Sequence, residues 1–340
     1  MFLIGLLSLA AVGGAAYAMS DAFVSDEEPD DDDVIDDQPD DISNGNLLDA
    51  GENVDEPAPT EVPDPSTGTL ISEFEGDLVI AGSENEDLLT GQEGSDQING
   101  YGGDDTVIGG QGDDVLHGGE GNDLLTGGMG EDILHGEGGD DQISGNDGND
   151  TLAGHFGQDQ LDGGGGDDEL YGGQDSDTLI GGDGDDALHG GFGDDHLNGG
   201  AGQDVLFGGD GDDVLTGEDG EGEQSVDFLN GGEGDDTILA DSGDIVTGGE
   251  GADDIAIDPD TDDEAVTVMD FQPGQDKLLI SWEGQPDPDI QIEVDAENEN
   301  LTRVSIDGQD VAHLLGADGM TPDDIQLIAG AELAQLSALG

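Results

Sequence analysis

From Leu89 to Leu215 the chain sets one aliphatic residue every nine positions without a gap: Leu89, Ile98, Val107, Leu116, Leu125, Leu134, Ile143, Leu152, Leu161, Leu170, Leu179, Leu188, Leu197, Leu206 and Leu215. Most residues between them are Gly, Asp, Asn or other polar types. This interval matches neither the 3.6-residue period of an amphipathic helix nor the sustained alternation of a long strand. It matches a repeat built from one short strand and one turn. The aliphatic residue at the strand centre points inward and its neighbours point outward. Each unit therefore reads as a three-residue strand and a six-residue turn, and two units make one coil. Alternate units then stack along opposite edges at the spacing of paired strands, roughly 4.8 Å.

The pattern divides the chain. Phe2–Met19 is apolar and uncharged, about long enough for a bilayer-spanning helix, which needs roughly 17–25 residues. It reads as a membrane anchor, or as a leader cut after Ala16-Tyr17-Ala18. Residues 20–69 are acidic and Pro-rich, as in Asp30-Asp31-Asp32-Asp33 and Glu56-Pro57-Ala58-Pro59, and predict a disordered spacer. Residues 70–256 are the repeat body. Glu221-Gly222-Glu223-Gln224-Ser225 interrupts its register and predicts a surface bulge, since insertions in solenoids map to loops. Residues 257–340 change texture. Ala265–Met269, Lys277–Trp282, Ile290–Val294 and Arg303–Ile306 predict strands, Asp307-Gly308 a hairpin turn, and Ala331–Leu339 a short helix. A solenoid needs a closed end, so this segment reads as a β-rich cap.

Charge narrows the partners. The chain has 88 Asp and Glu residues against two basic ones, Lys277 and Arg303, for a net charge of −86. A phosphate-binding surface is excluded, and nucleic acid with it. Cations are the partners such a chain invites. No Cys is present, which removes disulfides and thiolate metal sites.

The acidic residues keep the period of the aliphatic ones. Asp87, Asp96, Asp105, Asp114, Asp123, Asp132, Asp141, Asp150, Asp159, Asp168, Asp177, Asp186, Asp195, Asp204 and Asp213 each lie two residues before an aliphatic position, and Asp236 and Asp253 rejoin the pattern after the interruption. Stacked coils bring these carboxylates into two columns of like charge. One buried aliphatic residue per Gly-rich unit is a thin return for ordering nine residues, so the array is expected to need a cation in order to fold. The ligands on offer are carboxylates and the turn carbonyls near Gly110, Gly112, Gly119, Gly121, Gly128, Gly130, Gly182, Gly184, Gly191, Gly193, Gly200 and Gly202. This all-oxygen set suits Ca²⁺ better than Mg²⁺, which demands a strict octahedron and retains water. His117, His135 and His189 share one outward strand position. The first two could hold zinc as neighbours on successive coils, but a solvated face is the simpler reading.

The stretch Gly118-Gly119-Glu120-Gly121-Asn122-Asp123-Leu124-Leu125-Thr126 resembles the RTX (hemolysin-type) calcium-binding nonapeptide repeat, and the resemblance extends over about Gly76 to Ile255. It implies an all-β fold: a right-handed parallel β-roll with a C-terminal β-rich cap, and Ca²⁺ between successive turns, about one ion per repeat. It implies the Asp residues above as ligands, weaker sites where Gly82-Ser83-Glu84-Asn85 and Asp175 depart from the glycine pattern, and Asp227 as a less certain member beside the insertion. Val268–Leu278 is similar to the segment that follows the repeats in this family, and Gly308–Gly316 to a common ending. Members of the family usually leave the cell by type I secretion and fold in external Ca²⁺.

The expected function is calcium binding by a secreted or cell-surface protein without catalysis of its own, in an adhesive or structural role, with residues 2–19 as the candidate membrane tether. The alternative is a secreted enzyme or toxin-related protein whose activity lies in the C-terminal part. The chain has no His-Glu-x-x-His zinc motif, no Gly-x-Ser-x-Gly elbow and no Cys nucleophile. The third turn position, which reads Glu84, Glu93, Gly102, Gln111, Glu120, Met129, carries no Thr ladder of the kind an ice-binding array would want.

Overall fold

The computed structural model describes residues 67–336 apart from 75, 218–224, 260–263, 283–287 and 297. The apolar segment 2–19, nearly all of the acidic spacer and most of the expected bulge lie outside the described residues. The described chain is a parallel β-solenoid. Strands two units apart in sequence are hydrogen-bonded neighbours, so odd and even units build two separate sheets. The first runs from Asp77–Ser83 through Gln97–Gly102 and Val115–Glu120, and the second from Leu88–Thr90 through Thr106–Gln111 and Leu124–Met129.

The strands are longer than the pattern predicts. Val115–Glu120 has six residues, which leaves only Gly121 to Asp123 for the turn. The cause is visible in the register of Thr151–Phe156 against Glu169–Gln174. Leu152 pairs with Leu170, the pairing skips Gly154, and it resumes with His155 opposite Gly173. The chain thus bends at the glycine and stays in the ladder. Turns are bonded across coils as well: Gly121 N donates to Gly138 O at 2.7 Å and Leu124 N to Asp105 O at 2.9 Å. Backbone donors are satisfied along the coil without a thick core.

The aliphatic column from Leu89 to Leu215 is fully buried, at no more than 2% exposure, and belongs to one continuous cluster from Leu78 to Ala317. Two residues after each aliphatic, the next inward position is a buried glycine such as Gly118 or Gly136. That small residue leaves interior space beside the hydrophobic column, and a carboxylate occupies it.

Both ends are closed by added strands. Thr69–Phe74 pairs antiparallel with Asp77–Ser83 at the N-terminal end. At the other end Val266–Val268 and Gln309–Leu315 extend the first sheet in parallel, and Leu301–Ile306 and Ile290–Val294 follow antiparallel. Lys277–Ser281 and Ile325–Ile328 extend the second sheet. Asp307 and Gly308 both have positive φ, the turn geometry that suits a two-residue hairpin. The helix Gly330–Leu336 lays Leu333 against Leu239, Ala256, Leu279 and Ile328. The cap is therefore continuous with the sheets of the repeat.

Candidate metal centre

Each repeat Asp is the last residue of its turn, and its side chain bends inward. From Asp96 to Asp253 the repeat Asp residues are at most 3% exposed. One carboxylate oxygen of each is tied to the coil before it. Asp105 N donates to Asp123 Oδ1 at 2.7 Å, Asp123 N to Asp141 Oδ1 at 2.7 Å, and Asp141 N to Asp159 Oδ1 at 2.8 Å. This ladder continues through Asp177, Asp195, Asp213, Asp236 and Asp253 to Asp276. A second ladder on the opposite edge joins Asp96, Asp114, Asp132, Asp150, Asp168, Asp186, Asp204, Asp227 and Asp244.

In most ladder members the other oxygen has no hydrogen bond, although Oδ2 of Asp244 and of Asp276 accepts from Asp241 N and Gln272 N. Oδ2 is buried and unpartnered in Asp105, Asp114, Asp123, Asp132, Asp141, Asp150, Asp159, Asp168, Asp177, Asp186, Asp195, Asp213, Asp236 and Asp253. It faces further oxygen. A methyl built on Gly136 would overlap Asp141 Oδ2 and lie 3.0 Å from the carbonyl oxygen of Gly154, one coil on. The same place at Gly163 lies between Asp168 Oδ2 and Gly181 O, and at Gly208 between Asp213 Oδ2 and Gly231 O. Oxygens from consecutive coils thus border the same small space. Turn carbonyls add to the array: those of Gly110, Gly112, Gly121, Gly130, Gly182, Gly184, Gly191 and Gly193 each point at the residue one coil on, a glycine in every case. Gly119, Gly128 and Gly200 share the phase of Gly110, which lies within the strand, and Gly202 shares the turn phase of Gly112. Among the described residues no backbone hydrogen bond of the turns ends on the carbonyl oxygen of Gly112, Gly121 or Gly130.

Burial without a counter-charge raises the pKa values of these carboxyls. Asp114, Asp141 and Asp236 are pushed up to about 7, and Asp177 and Asp213 to about 8. Loss of water is the largest cause in each. The backbone N–H from the preceding coil opposes it, and neighbouring carboxylates of the same ladder add to it. A column that resists ionisation in this way is completed by a positive charge. Carboxylate and carbonyl oxygens are the ligands of a hard divalent ion such as Ca²⁺. Among the described residues no three His, Asp or Glu side chains converge as a metal cluster. A cation here would accordingly draw most of its ligands from the backbone.

The structure sets two expected ligands apart. Asp87 Oδ2 accepts hydrogen bonds from Ser83 N at 2.7 Å and Ser83 Oγ at 2.9 Å, and Asp96 Oδ2 accepts from Gln92 N at 2.8 Å. Both lie in the first units, where the glycine pattern departs. The ladders also contain Asp227, Asp244 and Asp276, which the nine-residue count leaves out or in doubt. Their signal was available in the spacing. The step from Asp204 to Asp227 and the step from Asp213 to Asp236 are both 23 residues, and the next steps on each edge are both 17. One insertion and one deletion shift both columns equally. The histidine column is joined by His155, whose Nε2 is 3.1 Å from His135 Nδ1. His189 instead stacks between Tyr171 and Phe207, at ring-centroid distances of 5.0 and 5.1 Å.

The model of the RTX calcium-binding nonapeptide repeat, the hemolysin-type repeat, matches residues 81–116, 108–143, 144–179, 162–197, 180–215, 189–223 and 221–255, which together span just over half of the chain. The chain belongs to the RTX calcium-binding repeat family. Its RTX units pair to make the coils described above, and calcium binding is the property that the family carries. No curated protein matches the chain. Among solved structures, the extracellular lipase LipA from Serratia marcescens is similar at 17% identity over 76% of this chain and 41% of its own, with a TM-score of 0.16. The chain thus spans less than half the length of that lipase. Among the described residues no helix is long and apolar enough to cross a membrane.

Proposed function

We propose that this RTX protein is a secreted or cell-surface calcium-binding rod that folds on Ca²⁺ and has no catalytic activity of its own. The observation that carries this reading is the unpartnered Oδ2 of repeat Asp residues such as Asp141 and Asp213 on one edge and Asp168 on the other, buried against carbonyl oxygens. Asp105 to Asp253 are the carboxylate ligands, with the turn carbonyls of Gly112, Gly121, Gly130, Gly184 and Gly193 and their counterparts as the neutral ones. The bound ions supply positive charge between carboxylates that otherwise repel. The protein's residues do the rest: the N–H of each Asp holds the next carboxylate in place, and the interior glycines keep the space open. Low Ca²⁺ leaves the array unfolded for export and high external Ca²⁺ folds it, which suits an adhesive or structural surface role.

Circular dichroism of the full chain during a Ca²⁺ titration, with Mg²⁺ as control, tests this. A cooperative gain of β signal with Ca²⁺ alone is expected. A full β signal in chelator would refute folding on calcium.

A further inference from the structure

The outer face of the first sheet carries a cluster of side chains that the calcium array does not use. The outward position after the buried aliphatic reads His117, His135 and Ala153 in three successive coils, paired in register. Ala153 has the smallest side chain of the three and is itself buried, at 7% exposure. The imidazole of His155, two residues on, stacks against His135 in its place at a centroid distance of 5.3 Å, with His155 Nε2 3.1 Å from His135 Nδ1. On the other side His117 stacks on His135 at 4.9 Å, and His117 Nδ1 lies 3.0 Å from Glu137 Oε1.

The backbone marks the same place. Glu137 and His155 pair in register and have φ of 78° and 80°. Their partners on either side, Gly119 and Gly173, are glycines with positive φ. A residue with a Cβ enters this conformation only at a cost. Two consecutive coils bear that cost, and each sets a ligand-type side chain beside the histidine column.

The chemistry of the four groups points to one class of ligand. Burial first, then His117 and His155, hold the pKa of His135 below its ordinary value, against a smaller opposing effect of Glu137. In the His135–His155 contact one ring nitrogen faces the other, so an acceptor lone pair lies between the two rings. Two ligand nitrogens on one tetrahedral ion at about 2.0–2.1 Å stand about 3.3–3.4 Å apart, close to the His135–His155 separation of 3.1 Å. Imidazole suits zinc, copper and nickel, whereas Ca²⁺ prefers oxygen. We propose that His135 and His155, with His117 and Glu137, bind one borderline divalent transition-metal ion on the outer face of the roll, apart from the calcium array. The four groups meet in two pairs rather than at one point. His117 and Glu137, with side chains 34% and 49% exposed, have the freedom to turn toward the ion. His189 provides an internal control, since its column neighbours Tyr171 and Phe207 offer no second imidazole.

The site rests on the calcium reading only for its folded scaffold, and circular dichroism in Ca²⁺ reports that separately. The test is calorimetric titration of Zn²⁺ into the Ca²⁺-saturated full chain, repeated with Cu²⁺ while the visible absorption of nitrogen ligation is followed. One site per chain that persists in excess Ca²⁺ is expected. His135→Ala and His155→Ala should each weaken it by about 10- to 100-fold, a range that loss of even an outer-shell partner produces, and His189→Ala should leave it unchanged. Equal zinc binding by wild type and the His135→Ala/His155→Ala double variant would overturn the proposal. So would loss of all zinc binding in excess Ca²⁺, which would assign the ion to carboxylates.

Discussion

Replacing Asp177 by Asn should move stability in opposite directions with and without calcium. Asp177 is 1% exposed, its Oδ1 accepts Asp159 N at 2.8 Å, and its Oδ2 has no partner. A methyl built on Gly172 would overlap Oδ2 and lie 2.7 Å from Gly190 O, so the second oxygen faces a carbonyl oxygen. The amide keeps the Oδ1 acceptor. Its NH₂ group, standing where Oδ2 stood, donates to that carbonyl. Without Ca²⁺ the substitution removes a buried unsatisfied acceptor that carries charge, and the fold should gain on the order of 1–3 kcal/mol, the cost of one such group. With Ca²⁺ it removes a charged ligand, and the midpoint of the calcium titration should rise. The assay is circular dichroism in two series. In chelator at pH 8 the fold is driven by an osmolyte, which favours burial, and the osmolyte midpoints of the two proteins are compared. In the second series Ca²⁺ is the titrant. Trp282, the only tryptophan, packs on the core cluster in the cap and reports by fluorescence whether the cap folds with the roll. If Asp177→Asn needs more osmolyte in chelator than wild type does, Oδ2 is not an uncompensated charge. An unchanged calcium midpoint would show that Oδ2 is not a ligand.

Gly136→Ala should raise the calcium midpoint, because its methyl fills the space beside Asp141 Oδ2, whereas Gly165→Ala, where the nearest atom is 4.0 Å away and φ is not positive, should stabilise by about 0.4–1 kcal/mol. In chelator the β signal should grow as pH falls from 8 toward 5. The folded Asp177 and Asp213, pushed up to about 8, and Asp141, to about 7, bind protons that the unfolded chain lacks above its ordinary value of 3.8, so apo stability is present at low pH and lost as pH rises through these values. In Ca²⁺ the order reverses, since protons compete for the same oxygens, and the calcium midpoint should rise on acidification. Leu170→Ala, at a fully buried core position, should cost about 2–5 kcal/mol in the calcium-loaded state, read from thermal unfolding. Asp140→Asn, next to the ladder residue Asp141, should leave the calcium midpoint where it is.

The fold was legible where its period is short and unbroken. One aliphatic every nine residues is enough to place Leu89 through Leu215 in a single column and to assign alternate units to opposite edges. The length of the strands was not legible, because the buried glycine that ends the hydrophobic signal does not end the hydrogen bonding, as the resumed pairing of His155 with Gly173 shows. The ends were harder still. The hairpin of Thr69–Phe74 with Asp77–Ser83, and the parallel placement of Gln309–Leu315 beside Val266–Val268, are pairings between segments with no shared period. His155 was hidden for a related reason: it stands in a phase where glycine is the rule, and only the small Ala153 beside the column brings it to His135.

The coils contain two side-chain ladders, and their difference locates the metal requirement. The outer one is formed where the residue before a ladder Asp is itself Asp, Asn or Ser. Asp104 Oδ1 accepts Asn122 N at 3.0 Å, Asn122 Oδ1 accepts Asp140 N at 3.1 Å, and Ser176 Oγ accepts Asp194 N at 3.2 Å. Any short acceptor can bond the N–H of the next coil there, and the position also takes residues that do not, such as Glu131, Gln158, Gln203 and Ala252. The inner ladder performs the same bonding at 2.7–3.3 Å from Asp96 to Asp276, and every member is Asp. Hydrogen bonding alone would admit Asn there, and Asn would spare the fold a buried charge. A carboxylate at every inner position therefore answers to something other than the ladder, and in residues such as Asp141, Asp168 and Asp177 the oxygen left over lies beside the carbonyl of an interior glycine one coil on. The demand for charge arises at the inner oxygen alone, which is why Asp140 can lose its charge without effect on calcium and Asp177 cannot.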